Sequence, residues 1–279
     1  MSNPRLPLEI LDYIVDLLHD EPETLGQCCL VSKSWVSHTR KHLFVDIDLR
    51  YTGDLEAWKE TFPDPMNSPA YHARSLSIGS SLFIIAADAE EDDDDDWIRA
   101  FSRVVRLEVR THFGSHYNSE LSLVYLHNFS PVLKSFQVDN CLPRSRVFNL
   151  VCSLPLLEDL IIHEDARLGE DHYDEIDFQP LTSPLSIGTF ELDSTKGTES
   201  IVRRLLDLPG GFHFRKLVLT WRNEEDLRWI MALVGGCSDT LECFDIKHTM
   251  YCTFLQFLPS DQYLTRTFVC TSGRAAGFR

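Results

Sequence analysis

The stretch Leu157-Glu158-Asp159-Leu160-Ile161-Ile162 decides how this chain folds. Apolar residues at 160 and 162 alternate across the chain, as a half-buried strand requires, behind the leading Leu157. The same apolar-x-apolar segment recurs at Leu76-Ser77-Ile78, Leu107-Glu108-Val109, Phe136-Gln137-Val138, Phe190-Glu191-Leu192, Leu217-Val218-Leu219 and Phe244-Asp245-Ile246. Successive segments start 24 to 31 residues apart. Helix-like stretches lie between them: Trp97-Ile98 to Phe101, Val147 to Val151, Ile201 to Leu206 and Leu227 to Val234. A strand and a returning helix every 25 to 30 residues build parallel strands side by side, with the helices on the opposite face. The alternative is an ordinary α/β domain with a parallel sheet; the regular step and short strands favour the stack. At about 4.8 Å per strand, seven strands give a sheet roughly 30 Å long, enough to hold a peptide or a folded partner.

If the apolar positions face the helices, the residues between them face outward. The outward set is Arg106, Glu108 and Arg110, then Gln137 and Asp139, Glu191 and Asp193, Arg215 and Thr220, and Asp245 and Lys247. This mixed-charge face is the expected place for a protein substrate to bind, with Arg106, Glu108, Arg110, Gln137, Asp139, Glu191, Arg215 and Asp245 as the candidate contacts. A plain solvated face is the other reading, since polar residues go to the surface in any case.

The chain has 279 residues, enough for one large domain or two small ones, and 43% hydrophobic residues can build a sizeable core. Its formal net charge of −17 would repel a phosphate backbone, which argues against nucleic acid as a partner. None of the eight cysteines forms a C-x-x-C pair, and most sit in apolar runs. This usage fits cysteine as a small hydrophobe in a reducing compartment. Glu9, Asp12 and Asp16 interrupt the apolar positions of the N-terminal stretch, so it does not read as a signal peptide, and no run approaches a membrane span. The expected location is cytoplasmic, nuclear or both, away from the membrane.

Ahead of the repeats, the first helix opens at Pro7 and carries Leu11, Ile14, Val15 and Leu18 at helical spacing. Asp20-Glu21-Pro22 ends it, a second short helix runs from about Glu23 to Leu30, and Ser32 caps a third that carries Trp35, Val36 and Thr39. A strand-like Val45 to Leu49 follows. Three helices in about 40 residues cannot bury all these side chains among themselves. Leu6, Ile10, Leu30 and Trp35 are therefore candidates for contact with a partner or with the rest of the chain.

Leu6-Pro7-Leu8-Glu9, Ile10-Leu11, Ile14, Leu17-Leu18, Leu25, Leu30-Val31-Ser32-Lys33 and Trp35, in this order, resemble an F-box over residues 5 to about 45. Gly26-Gln27-Cys28-Cys29 departs from the more regular aliphatic helix usual in that family. The later segments, above all those around Leu160 and Leu217, resemble the irregular leucine-rich repeats found behind fungal F-boxes. Here the asparagine ladder after the strand is mostly absent, with Asn140 alone fitting. The resemblance implies an α/β protein. A three-helix F-box over residues 1–48 would be followed by a leucine-rich-repeat-like solenoid of short parallel strands over 49–270 and an unpatterned tail at 271–279. It implies a substrate-recognition adaptor of an SCF-type cullin–RING ubiquitin ligase, with Leu6, Pro7, Ile10, Leu30 and Trp35 docking the adaptor subunit and, through it, the cullin. A protein-interaction scaffold without a ubiquitination role is the alternative.

The remaining motifs point away from chemistry. Glu90 to Asp96 is a solid acidic run, expected within a disordered loop over 85–97 and lacking the glycine and closing glutamate of an EF-hand. His112 with His116, His163-Glu164-Asp165 and Asp171 to Glu175 lack H-E-x-x-H or cysteine-knuckle spacing and read as surface loops. The sequence holds no G-x-S-x-G elbow, no P-loop and no G-x-G-x-x-G. The expectation is a protein that is not an enzyme and takes no metal or cofactor. Tyr263 to Cys270 reads as a last strand without the polar cap a solenoid end requires.

Overall fold

The computed structural model describes residues 7–79, 97, 99–110, 129, 131–139, 151, 154–164, 184–194, 198–208, 210–221, 224–248 and 264–268. Leu6, Asn140, the acidic run, His112 and His116 and residues 271–279 lie outside the described residues. The chain divides into two compact units, Met1–Val132 and Leu133–Arg279.

In the first unit, helix α1 (Leu8–Leu17) starts one residue later than its sequence suggests. Pro7 is its N-cap, and the Pro7 carbonyl accepts from the Ile10 and Leu11 amides at 3.1 and 3.3 Å. Helix α2 (Pro22–Val31) has proline at its first position and buries Leu25 and Cys28. Ser32 caps helix α3 (Lys33–Leu43), its hydroxyl accepting from the Ser34 amide. Arg40, Lys41 and His42 fill the last turn of α3, where cations oppose the negative end of the helix dipole. Both α1 and α2 pack on α3.

The chain then enters β1 (Asp46–Leu49), so the expected boundary at 48/49 falls inside a strand. Helix α4 (Thr52–Thr61) and two 3-10 turns lead to β2 (Ser75–Gly79) and β3 (Arg106–Arg110). The three strands are parallel and in chain order, with Ile47, Leu76 and Leu107 side by side and buried. Beside them Trp58 lies among Phe44, Phe62 and Phe101 at ring-centroid distances of 4.8 to 6.0 Å.

The second unit holds β4 (Ser135–Asp139), β5 (Asp159–Glu164), β6 (Leu185–Ser194), β7 (Phe212–Trp221) and β8 (Cys243–His248), all parallel and again in chain order. Their registered row Phe136, Leu160, Phe190, Leu217 is fully buried, and Val138, Ile162, Leu192, Leu219 form a second buried row. Each such side chain contributes about 1.5–3 kcal/mol of burial. Helix α5 (Thr198–Leu206) buries Ile201, Val202 and Leu205, and helix α6 (Glu224–Gly236) buries Ile230 and Leu233 against α5 and β7. Gly211, at φ 71°, makes the turn between α5 and β7, a backbone conformation that suits glycine. The expected last strand is present as β9 (Leu264–Phe268), but it runs antiparallel to β8, opposite to the rest.

All seven apolar-x-apolar segments lie in strands, and a local backbone signature recurs with them. The Val45 carbonyl accepts from the amides of both Arg74 and Ser75, that of Arg74 from Val105 and Arg106, and that of Lys134 from Glu158 and Asp159. Single bonds of the same type join Thr189 to Glu158 and Glu242 to Arg215. In three of these steps the residue just ahead of a strand offers its carbonyl to the two amides at the start of the next, which fixes the register of β1 with β2, β2 with β3 and β4 with β5. The architecture is α/β, with open parallel sheets and helices among the described residues.

Candidate functional site

Amphipathic α1 turns Val15 into the core and half-buries Leu11, Ile14 and Leu18, which leaves Leu8, Ile10, Tyr13 and Leu17 exposed. Helix α2 buries Leu25 and Cys28 and leaves Leu30 and Val31 outside, Leu30 at 83% and Ile10 at 47% relative exposure. Pro7 is exposed, and Trp35 is half-buried where its carbonyl accepts from the buried Thr39 hydroxyl at 2.6 Å. Leu6 lies outside the described residues. The exposed aliphatics are those that three small helices have no room to cover.

The outward strand face takes shape separately in each unit. In the first, Arg106 is exposed, Glu108 pairs with Arg110, and the Ser77 hydroxyl donates to Glu108 at 2.7 Å. In the second, registered residues form two rows. Gln137, Ile161, Glu191, Val218 and Asp245 make one, and Asp139, His163 and Asp193, with Thr220 and Lys247 one residue beyond the paired Leu192 and Leu219, the other. Ile161 therefore faces outward with its polar neighbours, although its sequence context reads as core. Lys247 on β8 reaches across β7 to Glu191 on β6 at 2.6 Å, and Lys216 lies 3.5 Å from Asp245. Two strand spacings are about 9.6 Å, a span that needs both side chains extended. The pair spans β7, and Val218 and Thr220 of that strand are buried although they stand on the outward side.

Arg215 stands apart from these rows. The in–out alternation of β6 and β7 slips by one between Ile187 and Phe190 and between Phe214 and Leu217. Arg215 sits at that slip, where it lines an open groove of about 290 Å³ with Glu158, Gly188 and Glu242. A side chain at position 188 would meet the Glu158 carbonyl at 2.9 Å, so glycine allows the close approach there. Of the substrate-contact candidates, the second unit brings Gln137, Asp139, Glu191 and Asp245 onto one face and leaves Arg215 at its edge.

His163 shows what the face does to a titrating group. Its Nδ1 lies 3.2 Å from an Asp139 carboxylate oxygen. That hydrogen bond holds the imidazole pKa above its ordinary 6.5, against burial and with help from the charges of Asp139, Asp193 and Glu191.

One cluster escaped sequence reasoning. Asp12 and Asp16 are one turn apart on α1, and His38 and His42 one turn apart on α3. Packing of α1 on α3 brings the Nε2 atoms of His38 and His42 to 2.7 and 2.8 Å from the same Asp16 Oδ1, and His38 Nδ1 to 3.5 Å from Asp12. Bonds from both rings hold the Asp16 carboxyl below its usual range. The two i,i+4 pairs were the available signal, but each alone is common on helices.

No helix among the described residues is long and apolar enough to cross a membrane. Compared with known protein families, curated proteins and solved structures, the chain matches none.

Proposed function

We propose that this chain is an F-box protein with a leucine-rich-repeat-like array, acting as a substrate-recognition adaptor of an SCF-type cullin–RING ubiquitin ligase. The observation that carries the reading is the exposure of Ile10 and Leu30, beside exposed Pro7, on helices that follow the F-box pattern in order. Large aliphatics left outside a small helical module favour a partner that covers them. Residues 7–43 would dock the adaptor subunit. The strand array would hold a protein substrate against the mixed-charge rows of Gln137, Asp139, Glu191 and Asp245. The protein would do no chemistry itself; it would raise the effective concentration of a substrate lysine near the ubiquitin-loaded enzyme.

Affinity purification of the full chain from cells tests this directly. The adaptor subunit and cullin should co-purify. A folded chain that brings down neither leaves the ligase reading without support.

A further inference from the structure

We infer that Asp16, His38 and His42 form a binding site for a divalent transition-metal ion of the zinc type, with Asp12 orienting His38 from behind. Three donor atoms from two helices converge, all within 4.8 Å of one another. Two imidazoles and one carboxylate are the donor set that zinc, nickel, copper and ferrous iron accept, whereas calcium and magnesium call for oxygen ligands throughout. Three protein donors with an open position match the ligand count of zinc sites that keep a water.

Two of the three donor pairs need little adjustment. Donors at about 2.0–2.1 Å around a tetrahedral ion lie about 3.3 Å apart. Each Nε2 to Asp16 contact, at 2.7 and 2.8 Å, would open by roughly half an ångström to admit the ion. The side chains have that freedom, because Asp16 is 54% exposed and the His38 and His42 side chains 18% and 23%. The same exposure gives an ion a way in.

Asp12 supplies the second shell. A ligating histidine usually donates its other ring N–H to a carboxylate, which fixes the tautomer and raises the basicity of the ligating nitrogen. His38 has Asp16 at Nε2 and Asp12 at Nδ1. On metal binding both rings release their Nε2 protons and take one up at Nδ1, His38 donating there to Asp12, which frees the two Nε2 lone pairs for the ion. A bound ion would tie α1 to α3 directly. This inference does not depend on the ligase reading.

The test is a Zn2+ titration of the full, chelator-stripped chain by calorimetry, in parallel with thermal unfolding with and without Zn2+. The wild type should bind one more equivalent of Zn2+ than the double variant His38→Asn/His42→Asn, and Zn2+ should raise its unfolding midpoint more than the variant's. Asp16→Asn, a change at an exposed side chain, should lose the same equivalent and serves if the double variant does not fold. Asp12→Asn should keep the equivalent but weaken it about 10- to 100-fold. No Zn2+ bound by the wild type would overturn the inference. So would equal stoichiometry and affinity in the wild type and Asp16→Asn, which would leave the cluster as hydrogen bonds only.

Discussion

His163 faces Asp139 from β5, with Asp193 and Glu191 on β6 adding negative charge to its surroundings. A histidine pKa raised in the folded state stabilises the protein fully below the unfolded value of about 6.5, and that contribution disappears as pH rises through the folded pKa. The stability advantage of wild type over His163→Gln should therefore be full below pH 6.5 and shrink as pH rises above it in urea unfolding. An advantage that grows over that window would reverse the sign. In Asp139→Asn, the NMR titration midpoint of His163 should move down. Cys237 shows the opposite kind of environment. Burial pushes its thiol up to about 11, and the thiol donates to the Leu233 carbonyl at 3.2 Å. Since the thiolate is the nucleophile, Cys237 should resist alkylation at neutral pH in the folded chain and react once the chain is unfolded. Peptide mass spectrometry would read this, and rapid labelling of folded protein would contradict it.

Among the elements, β2 ends where the chain leaving β1 passes closest. A Cβ at Gly79 would stand 1.9 Å from the Arg50 carbonyl oxygen. Backbone cannot yield as a side chain can, so Gly79→Ala should cost about 1–3 kcal/mol, measurable as a lower denaturation midpoint. No loss of stability would mean that the strand ends have room to part. Phe190 stacks on Phe214 with centroids 5.0 Å apart and is fully buried, so Phe190→Ala should cost about 3–5 kcal/mol. The strand positions were legible in the sequence because period-two alternation repeats at a nearly constant step, and α1 to α3 because proline, serine and acidic breaks mark their ends. The slip at Gly188 and Arg215 was not, since it arises from the approach of the Glu158 carbonyl, a contact between elements. Nor was the burial of Val218 and Thr220 on the outward side of β7, nor the pairing of Lys247 across that strand with Glu191, 56 residues away in sequence. The Asp16, His38 and His42 cluster was hidden for the same reason, its members being brought together by helix packing. The reversal of β9 left no mark in its residue pattern, because alternation is the same in either direction.

In the whole molecule, a small helical module that leaves Ile10 and Leu30 uncovered precedes parallel strands whose outward rows are of mixed charge. Order and spacing of the residues that resemble an F-box were readable from sequence, while the exposure of Ile10 and Leu30, on which the proposed docking surface rests, needed the packing of α1 and α2 on α3. The strand face is already internally paired through Glu191 with Lys247 and Asp139 with His163, so a bound substrate would compete with these contacts or use them as a fixed charge pattern. Raised salt should weaken such binding, because exposed charge pairs are screened over about 8–10 Å. The proposed docking through Ile10 and Leu30 is tested by isothermal titration of the purified full chain with the purified adaptor subunit, run with the wild type and with Ile10→Ala/Leu30→Ala. Both replaced side chains are exposed, so the variant should fold as the wild type does. The account predicts saturable 1:1 binding by the wild type and a loss of about 2 kcal/mol or more, roughly thirtyfold in affinity, in the variant. No saturable heat from the folded wild-type chain, or equal affinity in the two proteins, would contradict it.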